Sequence, residues 1–197
     1  MIPVCSENRL SPGVSMRFEN EVSRAASGRP VLYRVPDRRL ARAPHAPVGR
    51  TLHLIDIENL AGGSDASPEL LDDVVRAYRC AAPVSPGDHV IIAAGSRLAF
   101  AARAAWPGAR LVVGHGVDGA DRALLAQITD VAWVATRFDR VVLGSGDGIF
   151  TDALATIRAM GIATGIIANA RRFSWMLQQQ AAFVRVLPSD VASQQTA

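Results

Sequence analysis

The residues best placed to do chemistry are acids that follow short apolar runs. Asp56-Ile57-Glu58-Asn59 comes after Leu52-His53-Leu54-Ile55, Asp118-Gly119-Ala120-Asp121 after Leu111-Val112-Val113, and Ser145-Gly146-Asp147-Gly148 after Val141-Val142-Leu143-Gly144. If each run is a strand of one parallel sheet, three strand ends deliver carboxylates to a single rim, which is where open α/β sheets bind ligands. Carboxylates gathered there repel, and burying them is costly unless something neutralises them. A hard divalent cation, Mg²⁺ or Mn²⁺, is the usual neutraliser. Such an ion activates water and stabilises the charge that develops on a phosphate under attack. Each acid also has an ordinary explanation. Asp121 could cap a following helix and favour its dipole, and Asp147 could be a turn residue between Gly146 and Gly148. Asp56 is harder to explain this way, because it ends what should be the central strand. Glu58 and Asp118 are expected beside these three, on the same rim.

One glycine pattern points elsewhere. Gly114-His115-Gly116-Val117-Asp118-Gly119 matches G-x-G-x-x-G after a strand. In a dinucleotide site this turn belongs to the first strand–helix unit, with an acid ending the next strand. Here the acid at a suitable distance, Asp139, starts its strand, and Asp118 and Asp121 would repel a pyrophosphate. No dinucleotide cofactor is expected.

The elements that must position these residues follow from apolar patterning and from turn signals. Strands are predicted at Thr51–Ile57, His89–Ala94, Arg110–Val113, Arg140–Leu143 and Ile162–Ile167, with a possible edge strand at Phe183–Leu187. Between them fall helices from Pro68 to about Cys80, over Arg97–Ala105, over Asp121–Thr136, over about Ile149–Met160, and over Ser174–Ala182. Ser67 with Pro68 is an N-cap followed by proline in the first turn. Continuously apolar strands alternating with helices mean crossover units and a mostly parallel sheet covered on both faces, a three-layer α/β/α sandwich.

Residues 1–50 have a different texture. Six of the eleven prolines fall there, and no apolar period survives among them, so this stretch is expected to be a mostly disordered leader, with at most a short helix near Met16–Ala26. It holds nine Arg and four acids, while residues 51–197 hold twelve Arg and fourteen acids. A basic leader thus precedes a slightly acidic domain at 51–187, with a disordered tail at 188–197. Arg38-Arg39-Leu40-Ala41-Arg42 is the leader's best candidate for touching nucleic acid. Of 197 residues, 49% are hydrophobic, enough for a core and against wholesale disorder. No run approaches the roughly 20 apolar residues of a membrane span, and the opening residues show no secretory pattern. Cys5 and Cys80 make neither a disulfide framework nor a metal knuckle. A cytoplasmic protein with no membrane partner is expected.

Three motifs together, Leu54-Ile55-Asp56-Ile57-Glu58-Asn59-Leu60, Asp118-Gly119-Ala120-Asp121 and Gly144-Ser145-Gly146-Asp147-Gly148-Ile149-Phe150, resemble the acidic motifs of NYN domains, in the PIN-like nuclease superfamily. The resemblance covers residues 51–187 in order. It implies a PIN-like sandwich with a Mg²⁺- or Mn²⁺-dependent endoribonuclease site and RNA as partner. By that resemblance Asp56, Asp121 and Asp147 are the catalytic metal ligands, Asn59 orders the first loop, and Ser145 supplies the hydroxyl before Asp147. In one place the chain departs from the family. The family commonly carries a second aspartate two residues after the one matched by Asp147, and this chain has Ile149. Asp152 or Asp118 would have to compensate; otherwise the site holds one metal, is weak, or serves only to bind nucleic acid or protein. For the substrate, Asn59, Asp118 and Ser145 line the site, and Arg97 and Arg122 are the candidates for phosphate contacts. Arg171-Arg172 are weaker ones.

Overall fold

The computed structural model describes residues 49–188 other than Arg172, together with a strand at 31–34. Seven strands form one sheet: β1 (Val31–Arg34), β2 (Thr51–Asp56), β3 (His89–Gly95), β4 (Arg110–Gly114), β5 (Arg140–Gly144), β6 (Ala163–Asn169) and β7 (Phe183–Leu187). Their order across the sheet is β1-β7-β6-β5-β2-β3-β4. β2 to β7 run parallel to their neighbours, and β1 lies antiparallel on β7. All six residues of β2 are buried, as befits the central strand of a sheet covered on both faces.

The alternation of side chains along the strands separates two cores. Ile55, Val90, Ile92, Ala94 and Val142 face α1 (Ile57–Ala61), α2 (Pro68–Ala81) and α3 (Ala99–Ala105). Leu52, Leu54, Ile91, Ala93, Val141 and Leu143 face α4 (Gly119–Leu125), α5 (Val131–Arg137), α6 (Thr151–Ala159) and α7 (Trp175–Gln178). The architecture is therefore the three-layer α/β/α sandwich that the patterning predicts. Among the described residues no helix is long and apolar enough to cross a membrane.

Local departures have local causes. β2 stops at Asp56, not Ile57, because the Asp56 carboxylate accepts the Asn59 amide at 3.1 Å and so caps α1. The long helix expected over 121–136 is broken into α4, a 3₁₀ turn at Ala126–Ile128, and α5. Asp130 causes the restart by accepting the Trp133 amide at 2.9 Å. The helix expected over 149–160 opens with a 3₁₀ turn at Gly148–Phe150, and the last helix is a single turn. β7 is not the edge of the sheet, because β1, from the stretch read as leader, pairs with it from Val31↔Val186 to Arg34↔Phe183. Cys80 is disulfide-bonded, which corrects the expectation that the cysteines make no disulfide framework. The suggested helix at 16–26, Arg38, Arg39 and Arg42, and the tail from 189 lie outside the described residues.

Candidate functional site

The sheet order reverses between β2 and β5: β3 and β4 extend to one side, and β5, β6 and β7 to the other. Such a switch point leaves a crevice beyond the strand ends, and Asp56 stands in it. Ile55 pairs with Gly144, so Asp56 is level with Ser145. Asp56 is only 4% exposed. One of its oxygens caps α1, and the other receives the Ser145 hydroxyl at 3.5 Å, the limit of a hydrogen bond. The buried Ser145 Oγ also accepts the Asp147 amide at 3.2 Å. Asn59 Oδ1 accepts the Gly146 amide at 2.9 Å. These bonds tie the loop after β5 to the loop after β2.

Asp121 reaches the same crevice because the turn before it is compressed. A Cβ on Gly114 would lie 2.0 Å from the Gly119 carbonyl carbon, and Gly116 has φ +74°. The glycines of the G-x-G-x-x-G pattern thus let α4 begin directly against the end of β4. Asp118 takes up a left-handed conformation there, with φ 51°, without capping the helix through its side chain. Residue 121 then sits in the first turn of α4, on the face of the sheet toward which Leu52, Leu54 and Asp56 alternate.

The Asp56 and Asp121 carboxyls lie close enough to shift each other's protonation. Burial, then the neighbouring Asp121, push Asp56 well above the usual carboxylate range, against the opposing pull of the Asn59 amide. Burial also raises Asp121; Asp147 and Asp118 add to the rise, while the bond to Asp56 lowers it. Of the two, Asp56 is the deeper and is pushed up further. Asp121 Oδ1 is buried without a hydrogen-bond partner among the described residues.

The remaining residues singled out from the sequence fall as follows. Asp147 is exposed, close enough to Asp121 to act on it electrostatically, with one oxygen accepting the Ile149 amide at 3.0 Å. Among the described residues, no three acid, His or Cys side chains stand close enough to hold a metal ion. The structure thus brings together the Asp56–Asp121 pair, with Ser145 and Asn59 supporting it and Asp147 nearby. Asp118 and Asp152 are exposed, Asp152 in the first turn of α6. Arg97 is exposed on the turn after β3, and the Arg122 guanidinium folds back onto the Val117 carbonyl. Ile149 is 41% exposed and lies outside the core.

Two further rim residues brace the strand ends: Glu58, expected on the rim, and Asn169, which the sequence alone did not single out. Glu58 accepts the Gly95 amide at 2.8 Å and holds the end of β3. Asn169, ending β6, donates to the Leu60 carbonyl at 2.9 Å and accepts the Arg171 amide at 3.0 Å. The signal for Asn169 was present: a polar residue closes the apolar run Ile166-Ile167-Ala168, as the acids close theirs.

No protein-family model matches the chain, and neither does any curated protein. Among solved structures, its fold is similar to the crystal structure of a protein of unknown function from Vibrio parahaemolyticus, with a TM-score of 0.51 and 16% identity over 74% of this chain and 98% of that one. At that identity the likeness is one of fold alone.

Proposed function

We propose that this rim is the site of a Mg²⁺- or Mn²⁺-dependent endoribonuclease, in keeping with the resemblance to NYN domains. The observation that carries the reading is the Asp56–Asp121 pair. Two carboxyls from different strand ends face each other at the switch point, and a buried Asp121 oxygen is left without a partner. The donor set fits the cation. Mg²⁺ is commonly held by one or two carboxylates, with waters and substrate phosphate oxygens completing its shell, so a cage of three protein acids is not required. When bound, the cation would supply Lewis-acid polarisation and an activated water.

The chain's own residues have separable tasks. Asp56 and Asp121 would present carboxylate oxygens to the ion, each deprotonated when it binds. Ser145 fixes the second Asp56 oxygen, and Asn59 and Ser145 hold the Asp147 loop against it. Asp147 adds negative charge at the mouth of the site, and Arg97, exposed on the turn after β3, is the candidate for a phosphate contact.

A second reading, a nucleic-acid or protein-binding module without activity, is favoured by Ile149 and by the Asp147 oxygen already bonded to its amide. Incubating labelled single-stranded RNA with Mn²⁺ separates the two. The enzyme cleaves internally, and Asp56→Asn abolishes cleavage. Binding without cleavage by the unaltered chain would leave only the module.

A further inference from the structure

The rim carries an aromatic side chain that the carboxylate pair does not use. Trp175 is 69% exposed, and Met176 beside it is also exposed. Large apolar side chains are ordinarily withdrawn from water, so an exposed indole beside a candidate site is informative. Its position is fixed by the loop that carries Asp147. The Ser174 amide donates to the Gly146 carbonyl at 2.8 Å, and Ser174 Oγ would lie 3.1 Å from a Cβ on Gly148. α7 then packs against the Gly148–Phe150 turn through the buried Leu177, which leaves Trp175 outside. Ile149, in the turn that α7 packs against, is also exposed, as is Arg171 on the loop between Asn169 and α7.

We infer that Trp175 is a base-stacking platform, on which a nucleobase of single-stranded nucleic acid lies while its phosphate backbone passes the Asp56–Asp121 pair. This rests on the function proposed above. An indole face accepts any base, at an energy that removal of the ring exposes. A base inside a duplex has both faces covered, so only an unpaired base can use it. Arg171 supplies the cation that a phosphate next to the stacked base requires, beside a rim otherwise rich in carboxylates.

The test measures binding of a fluorescein-labelled oligouridylate to the full chain by anisotropy in EDTA, where cation-dependent cleavage is absent. Trp175→Ala is expected to weaken binding about tenfold, with an unchanged melting temperature, while Trp175→Phe retains most of the affinity. Met160→Ala, at another exposed apolar position where α6 ends, at the opposite pole, should have no effect. A blunt RNA duplex should bind more weakly and be indifferent to Trp175. Equal affinity of the unaltered chain and Trp175→Ala for the single strand would overturn the inference. So would a change from dimer to monomer in Trp175→Ala with oligonucleotide binding intact, which would assign the indole to a second copy of the chain. Mn²⁺-dependent cleavage separates the two proposals. Cleavage with no role for Trp175 leaves the nuclease and removes the platform. Trp175-dependent binding without any cleavage does the reverse.

Discussion

A buried carboxyl whose surroundings favour its neutral form makes the folded protein sensitive to pH and to cations. The folded-state pKa of Asp56 is raised above its ordinary value of 3.8. Its contribution to stability is therefore fully present below that value and lost as pH rises through the folded value. His53 works the other way. Buried with Nδ1 2.9 Å from the Tyr78 hydroxyl, it has a pKa lowered from 6.5, chiefly by burial, and its contribution is lost as pH falls through the folded value. In EDTA, Asp56→Asn should remove the first of these dependences and stabilise the protein at pH 7 by about 0.5–2 kcal/mol, as relief of a strained functional site does. Thermal melts across pH would check this, and an unchanged slope would mean that the pair is not under strain. Ile149→Asp tests the position where the chain departs from NYN domains. Because Ile149 is half-exposed, the new acid would not be buried, and the melt should shift by less than about 0.5 kcal/mol. Mn²⁺ affinity measured by calorimetry should rise several-fold, since added carboxylate charge favours a hard cation. No gain would show that this position cannot reach the ion.

At the scale of elements, the turn between β4 and α4 decides where Asp121 stands. Gly114→Ala would drive a methyl into the Gly119 backbone. The cost should be about 1–3 kcal/mol, with Mn²⁺ binding weakened as α4 is displaced. A chemical denaturation curve and a calorimetric titration on the same sample would measure both, and full retention of both would contradict the close packing. The same turn shows how far sequence reasoning reaches. The strands were legible because apolar runs in a doubly covered sheet carry a strong signal, and the acids stood out because they end those runs. The reason for the glycines was not legible: backbone contact between residues five apart leaves the same pattern as a phosphate loop. The break at Thr129–Asp130 was hidden because Ile128, Val131 and Val134 continue an apolar helical spacing across it, and only the Asp130 cap reveals the restart. β1 was missed because four residues among prolines are too short a run to stand out, and they form a strand only against β7.

For the whole molecule, the antiparallel β1 makes residues 1–45 less dispensable than their composition suggests. Deleting them would expose the outer edge of β7, while the six parallel strands and both cores remain. Unfolding should stay cooperative, with a loss of more than about 2 kcal/mol, because the deletion removes both the pairing on β7 and Cys5, the chain's other cysteine beside the disulfide-bonded Cys80, and with concentration-dependent association through the bare edge. Light scattering and melts of the shortened chain would test this, and non-cooperative unfolding would place part of the core in the deleted stretch. The switch point between β2 and β5 also has a consequence in time. β2, β3 and β4 with α1 to α4 are one continuous stretch, and β5, β6 and β7 with α5 to α7 are the next. During synthesis, therefore, Asp56 and Asp121 are both available before the strand leading to Ser145 and Asp147 has been made. Until β5 arrives, the central strand of the finished protein is an apolar edge, open to pairing with any other strand.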